Sequence, residues 1–572
     1  MKQSTHPFML HLPNPTRPRR ARVFLVVLVI AVLTSITGCR ITPQQAGGGE
    51  IVIGHQGPID TFDPLRFPLD ADSEFLRLTY DTLVARGPDG HIYPLLAAGW
   101  RISDNGMAIE FELRDGVAFH DGTPVVAADV KATLDRWLAE PEHPLRWKLG
   151  SLESVAADGD FRVTLNFIRP FPAIWEALAN PRFGVVNSIK LEELGEGFGQ
   201  EPDGSGPFAF KERSSHQWTF QRHSAYKWSP GFYQSPGPAL LEEIRLRAIE
   251  GGSQELVEAL RLGKIDIARF EPPAVDQLTE EEPSVGVSLT AVKDVVSDVG
   301  AHLHTFTGTG LVYLGMQTMS EQTEVIDVRR AVFAALDRSE LAKVYPGNWG
   351  MPAASVLPAS FFPQVPRHDA EGNVTAPVRG GTGQQELARQ ILRDAGFVDT
   401  DGDGIRDRGG LPLVVQLYVS DRGVWPELAR GVSSQLAQVG IGVELKVVEP
   451  RILFGSTADG VAEAFLLGYQ WPTPEVLFPL FHSSRTGSTN RTHLSSDSID
   501  RLLESALVTV EPGDRLALYR ALEEELADIA PIVPLFHPAG VVVSSGRLTG
   551  VLVGPGGEIY PLEASTSGSR EK

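Results

Sequence analysis

Asp399, Asp401, Asp403 and Asp407, in DTDGDGIRD, stand at positions 1, 3, 5 and 9 of a calcium-loop pattern with Gly404 at the sixth. Oxygen ligands at that spacing could hold a divalent cation, but position 12 is Gly410, where a bidentate Glu would supply much of the charge. The pattern therefore predicts a chain reversal built from Asx side chains and glycines, with no metal site. His302 and His304, two apart in AHLHTF, would share one face of a strand, and two imidazoles alone do not make a metal site. The signatures of covalent chemistry are missing: there is no Gly-x-Ser-x-Gly elbow, no His-Glu-x-x-His helix and no Gly-x-Gly-x-x-Gly loop. LGKID has a Gly-Lys pair without the upstream Gly and the Ser/Thr of a phosphate loop. With 72 acidic residues, neighbouring carboxylates arise by chance, and none is given a role. The expectation is a protein that is not an enzyme and needs no cofactor.

The remaining reactive side chain is Cys39, the one cysteine of 572 residues. It ends a segment in which Arg17, Arg19, Arg20 and Arg22 precede an apolar block at 23–33 and small residues fill 34–38, the layout of a secretory signal. The block is shorter than the roughly 20 apolar residues of a membrane span. Ile36-Thr37-Gly38-Cys39 resembles a bacterial lipobox, which implies a lipid thioether on Cys39 and a signal peptide at 1–38. The mature 534 residues would carry 46 basic and 72 acidic side chains, near −26. Such a surface repels nucleic acid and anionic headgroups, so attachment to a bilayer must come from the acyl chains on Cys39. Residues 39–50 then form a polar, Gly-rich tether.

The elements that would position any site alternate in type. Strands are read at IVIGHQG, AIEFELRDG, RVTLNFI, FAFKE, WTFQRH, EIRLRAI and LVYLGMQ. Helices are read at 127–138, 254–262, 328–344, 386–395, 427–439, 498–508 and 514–529. In ELARGVSSQLAQVGIGVELKVVE a helix ends near Gly440 and a β-rich run follows at once, an α-to-β connection. Mixed α/β is the expected fold class.

Residues 113–137, LRDGVAFHDGTPVVAADVKATLDRW, resemble the signature of the peptide/nickel-type extracellular solute-binding proteins of ABC transporters. Leu113, Arg114, Gly116, Phe119, Asp121, Gly122, Pro124, Ala127, Asp129 and Val130 fit it, and Val126 replaces the usual Thr. GSGPFAFKE, LGKIDIARF, VRRAVFAALDRSELAKVYPGNWGMPAASVLP, ILRDAGFVDTDGDGIRD and IAPIVPLFHPAGV follow in family order. The resemblance implies a two-lobed, type II periplasmic-binding-protein-like fold with an extra subdomain. Its first lobe is expected at 51–83, 201–300 and 535–563, the subdomain at 84–200, the second lobe at 301–534 and a tail at 564–572. It also implies a monomer, anchored outside the cytoplasm, that closes on a peptide or related small solute and presents it to a membrane permease.

Cleft positions carry over from the same resemblance. Pro58, Ile59 and Asp60 follow the first strand; Trp147 lies on a subdomain loop; Trp349 and Met351 lie in the second lobe's Gly-rich loop; Phe536 and His537 lie where the chain returns to the first lobe. Tyr469, Gln470 and Trp471 belong to LGYQWPTPEVLF, where peptide-binding relatives place a carboxylate for the peptide's α-ammonium. Pro472 stands at that Asp position, and Glu475 is the nearest acid. Two routes stay open: Glu475 replaces the Asp, or Tyr469 and Trp471 stack on a ligand without an ammonium.

Overall fold

Ile532–Ser544 (IVPLFHPAGVVVS) forms one strand of 13 residues that is buried at every position. A continuous apolar run of this kind suits a strand covered on both faces. In the computed structural model, which describes residues 49–68, 73–280, 286–361, 367–368, 374–375, 384–471 and 473–567, it is the spine of a 12-stranded mixed sheet. Its first half pairs with Gly310–Met316 and Gly350–Pro352. Its second half pairs with Ile267–Phe270 on one side and His302–Thr307 on the other. Beyond Gly310–Met316 lie Ala464–Gln470, Val414–Ser420 and Gly442–Val448; beyond Ile267–Phe270 lie Glu50–Gln56, Glu243–Ile249, Gln217–Arg222 and Phe208–Arg213.

Pro538 sits where the spine changes partners. Proline has no N–H to give to a ladder, and its carbonyl accepts the N–H of Gly308 at 2.8 Å. The neighbouring chain breaks at the same level, between the strands His302–Thr307 and Gly310–Met316. The backbone therefore passes from one half of the sheet to the other at 307–310 and again at 538–540. Among the described residues the core consists of three apolar clusters. One fills the first lobe and the subdomain, with Phe62, Phe111, Trp137 and Trp175. A second runs under both halves of the sheet, from Val52 and Ile265 to Val415 and Leu428. A third, with Leu311, Phe465, Leu503 and Leu526, belongs to the second lobe.

The subdomain carries its own four-stranded antiparallel sheet, in the order Ala97–Ile102, Ala108–Leu113, Arg162–Phe167, Leu152–Asp158. The helix Ala127–Leu138 packs against it and has the bounds its periodicity predicts. Asp121 makes the preceding turn by accepting from the N–H and hydroxyl of Thr123, at 2.8 and 2.7 Å. Asp129 accepts the N–H of Val126 and the hydroxyl of Ser188, so this carboxylate also ties the helix to its neighbour. Gly204 and Gly206 of the GSGPF return segment lie against the backbone of Thr79: a Cβ would fall 2.2 Å from its oxygen at Gly204 and 2.6 Å from its carbonyl carbon at Gly206.

The helices read from periodicity all form, with one correction. The run expected as a single helix over 328–344 is broken: Ile326–Ala335 ends before Leu336, and Asp337 caps a new turn, Arg338–Leu341, by accepting the N–H groups of Ser339 and Glu340. Arg338 is buried there, its guanidinium over the Phe333 ring and donating to Ala353 O at 3.1 Å. Leu289–Val299 and Pro450–Ala458 are additional helices. Cys39, the apolar block, Pro472 and residues 568–572 lie outside the described residues.

Candidate functional site

Ala464–Gln470 runs beside Gly310–Met316 and brings Tyr469, Gln470 and Trp471 to the level of the crossing. Trp471 donates its N–H to Thr309 O at 3.4 Å, and its side chain is 46 % exposed. Tyr469 is half-buried and donates its hydroxyl to Val356 O at 3.2 Å; burial holds its pKa well above the usual phenol value. Gln470 Oε1 accepts the N–H of Val275 at 3.3 Å.

Tyr469 and Gln470 border a cavity of about 520 Å³, within the range of small-molecule sites. Its walls include Val275, Ser420, Trp425, Leu453 and Phe454. The Trp425 indole Nε1–H is buried with no hydrogen-bond partner among the described residues. An apolar wall with one unsatisfied donor suits a ligand that brings an acceptor. Val275 belongs to the chain leaving the first-lobe strand Ile267–Phe270, so the cavity is built by segments that bracket the crossing.

The other expected cleft residues fall into two groups. Met351 is half-buried and stands opposite His537, next to Phe536, on paired strands. Phe536 is fully buried against Tyr345, and Trp349 is buried with its indole donating to Val287 O at 2.9 Å. His537 is buried between Gly310 O at 2.8 Å and Ser355 O at 3.2 Å, and burial lowers its pKa to about 4. A neutral ring has one N–H, so it donates to one of these carbonyls. Together they support the crossing at Gly310, which itself pairs with Gln470. The second group is held by the first lobe and subdomain. Pro58 and Asp60 are exposed, and the carbonyls of Ile59 and Asp60 accept from Trp218 and Gln200 at 2.8 and 2.9 Å. Trp147 is 49 % exposed, with the Lys148 ammonium 5.0 Å from its ring centre.

Glu475 is ion-paired with Arg515, whose guanidinium also donates to Pro172 O at 3.3 Å. Further bonds link subdomain to second lobe: Trp175 Nε1 donates to Val510 O at 2.6 Å, and Arg86 donates to Phe361 O at 3.3 Å. The segments around 86 and 172–175 are thus in contact with those around 361 and 510–515, and the acid nearest the missing Asp position already has a cation.

The aspartate loop forms successive Asx turns. Asp399 accepts the N–H groups of Gly402 and Gly404, Asp401 that of Asp403, and Asp403 that of Ile405, while Asp407 faces Thr400. The donor oxygens of Asp399, Asp401 and Asp403 come within 4.8 Å of one another on an exposed surface. His302 is exposed on its strand; His304 is half-buried with Nε2 3.4 Å from Ser544 Oγ.

One buried acid was not singled out by sequence. Asp81, 3 % exposed, accepts from Trp228 Nε1 at 2.8 Å, Ser205 Oγ at 3.1 Å and Tyr226 OH at 3.4 Å, and so ties the segments at 205 and 226–228 to the chain at 81. Burial outweighs these donors and raises its pKa from 3.8 to about 7. A carboxyl raised on folding binds protons more tightly in the folded state, so its contribution is fullest below 3.8 and is lost as pH climbs to about 7. Asp81→Asn, which keeps the shape, should flatten the fall in melting temperature across that window and stabilise the protein at pH 8. Parallel melting-temperature profiles for variant and native protein would remove Asp81 as the cause.

Comparison with known proteins bears on the family and the fold. Residues 91–489 match the profile of the Bacterial extracellular solute-binding proteins, family 5 Middle. The chain is 25 % identical over 538 residues to the oligopeptide-binding protein AppA of Bacillus subtilis, covering 91 % of this chain and 92 % of that one. It is 24 % identical over 516 residues to the glutathione-binding protein GsiB of Escherichia coli, covering 88 % and 92 %. Among solved structures, the unliganded open form of the periplasmic murein tripeptide-binding protein MppA matches with a TM-score of 0.70 at 20 % identity, over 91 % of this chain and 98 % of the other. The nickel ABC transporter protein of Bacillus halodurans matches with a TM-score of 0.69 at 20 % identity, over 91 % and 100 %. The fold is that of the type II periplasmic binding proteins, as the family resemblance implies, and it is mixed α/β, as the alternation of elements predicts. With the family profile spanning most of its length, the chain belongs to the bacterial extracellular solute-binding proteins of family 5.

Proposed function

We propose that this chain is a lipid-anchored receptor that captures peptides between its lobes and hands them, unaltered, to an ABC importer permease. The observation that carries the reading is the cavity bordered by Tyr469 and Gln470, placed beside the two crossings at 307–310 and 538–540. Closure about two short strands needs only a few residues to change φ and ψ. The similarity to AppA over nearly the whole chain supports peptides as the class. Because Arg515 already neutralises Glu475, that carboxylate is not the partner of a peptide ammonium. Cleft contacts are assigned to Pro58, Ile59, Asp60, Trp147, Met351 and Tyr469 to Trp471, with Trp349, Phe536 and His537 supporting them from within the core.

Residues 48–572 form one compact unit and are the material for the test. A ligand that binds only the folded protein raises its stability by RT ln(1 + [L]/Kd), roughly 2.7 kcal/mol at a hundredfold excess over Kd. A thermal-shift screen of di- to nonapeptides, oligosaccharides and metal chelates should give its hits among the peptides. Hits confined to the other two panels would overturn the peptide assignment.

Anchoring rests on Cys39 and on the mature charge near −26. Among the described residues no helix is long and apolar enough to cross a membrane. Cys39→Ser should move the protein from the membrane fraction to the soluble one. An equally membrane-bound variant would contradict the lipid anchor.

A further inference from the structure

We propose that a second, charged pocket on the first lobe, centred on Arg77, recognises a carboxylate of the bound solute. The inference rests on the solute-binding reading and adds a chemical requirement to it. The pocket has a volume of about 340 Å³ and is lined by Glu74, Arg77, Arg86, Glu176, Arg269 and Glu558, with the Tyr560 ring among its walls. Arg86 also donates to Phe361 O in the second lobe, so the pocket lies where the two lobes touch.

Its three guanidinium groups are not equivalent. Arg86 is paired with Glu176 and donates to Gly90 O at 3.1 Å. Arg269 is paired with Glu74 at 3.1 Å and Glu271 at 2.5 Å, and donates to Gly556 O at 3.1 Å. Arg77 has no ion pair and no hydrogen bond among the described residues, and its Nε is buried without a partner. What it has is the face of Tyr560, 4.7 Å from its guanidinium carbon. Stacking fixes the plane of a guanidinium and leaves its in-plane N–H donors to point elsewhere.

A buried N–H left unmade costs more than an exposed one, and a planar fork of donors is matched best by a planar carboxylate. The surroundings restrict the charge of that ligand. Glu558 turns its carboxylate to the N–H of Gly556 at 3.0 Å and makes no close ion pair among the described residues, feeling Arg86 only at longer range, so the pocket already holds an acid besides the paired ones. A single carboxylate gains Arg77 against modest repulsion, whereas a phosphate dianion would meet more of it. The class is therefore a solute with one carboxylate at this end, either the C-terminus of a peptide or an acidic side chain.

The test uses the chain of residues 48–572 and three forms of one probe series: tripeptides Ala-X-Ala with a free C-terminus, the same tripeptides as C-terminal amides, and amides with X = Glu. A parallel panel of succinate, glutarate and citrate requires no peptide recognition. Binding is read by calorimetry in the native protein, Arg77→Gln and Arg77→Lys, after confirming that the unliganded variants melt cooperatively. Arg77→Gln should weaken carboxylate probes roughly tenfold to a hundredfold, the range of a charge-assisted hydrogen bond, and leave neutral amides within about twofold. Arg77→Lys should recover part of the loss. Dependence that survives amidation only when X = Glu identifies the side chain as the source; dependence lost on amidation identifies the C-terminus. Peptides that bind with no Arg77-dependent preference for a carboxylate overturn the pocket assignment while leaving peptide capture intact. No Arg77-dependent binding in either panel overturns it whatever else the chain binds.

Discussion

Gly540→Ala should destabilise the protein by about 3 kcal/mol, the upper range of overpacking. Gly540 lies opposite Phe306 in the paired strands of the crossing. An added Cβ would fall 2.1 Å from the Phe306 ring, well inside van der Waals contact. The ring cannot easily retreat: it is 3 % exposed, the Arg269 guanidinium lies 4.7 Å above it, and a Cβ on Gly557 would lie within 2.7 Å of its other atoms. The spine strand must therefore shift where its pairing changes. The midpoint of denaturant unfolding reads the loss, and the double variant with Phe306→Leu should recover part of it. An unchanged midpoint for Gly540→Ala would contradict the close approach on which the crossing depends.

Arg515→Met should cost a similar amount for an electrostatic reason. Arg515 is 5 % exposed at its side chain, is the cation beside Glu475, and reaches Pro172 O across to the subdomain. Removing it takes from the Glu475 carboxylate, one oxygen of which is buried without a hydrogen-bond partner among the described residues, the cation it is paired with. Breaking a buried pair from one side typically costs 3–5 kcal/mol, and partial exposure of Glu475 places this case at about 3 kcal/mol. Glu475→Gln combined with Arg515→Met should be much less destabilised than the Arg515 variant alone, because the uncompensated charge is gone. Additive effects in that cycle would show that the Glu475–Arg515 ion pair does not stabilise the fold.

Much of the fold is legible in the sequence because burial there follows local periodicity. The helix Ala127–Leu138 keeps one buried stripe and is read correctly from pattern alone, whereas the strand Ile532–Ser544, buried at every position, has no alternation to mark it and enters the sequence reading only through the family motif IAPIVPLFHPAGV. The break at Leu336 is not legible, since the apolar spacing continues through it. What ends the helix is Asp337 turning to cap the next one while Arg338 packs under Phe333, a tertiary arrangement. The site shows the same limit. Trp349 and Trp471 are both aromatic residues beside a Gly or Pro, yet the first is 1 % exposed and the second 46 %. That difference is decided by which segment covers each one. The charged pocket joins Arg77, Arg269 and Glu558, distant in sequence and ordinary in local context, and no spacing rule would bring them together. Asp81 is hidden for the same reason: its three donors come from 205–228.

Capture without conversion is tested most directly by titrating a peptide hit into residues 48–572 in a calorimeter and recovering the peptide for mass spectrometry. The cleft predicts one peptide bound per chain, with the negative heat-capacity change of apolar burial, and a recovered peptide of unchanged mass. A cleaved or modified peptide, or saturation that needs no defined stoichiometry, would contradict it.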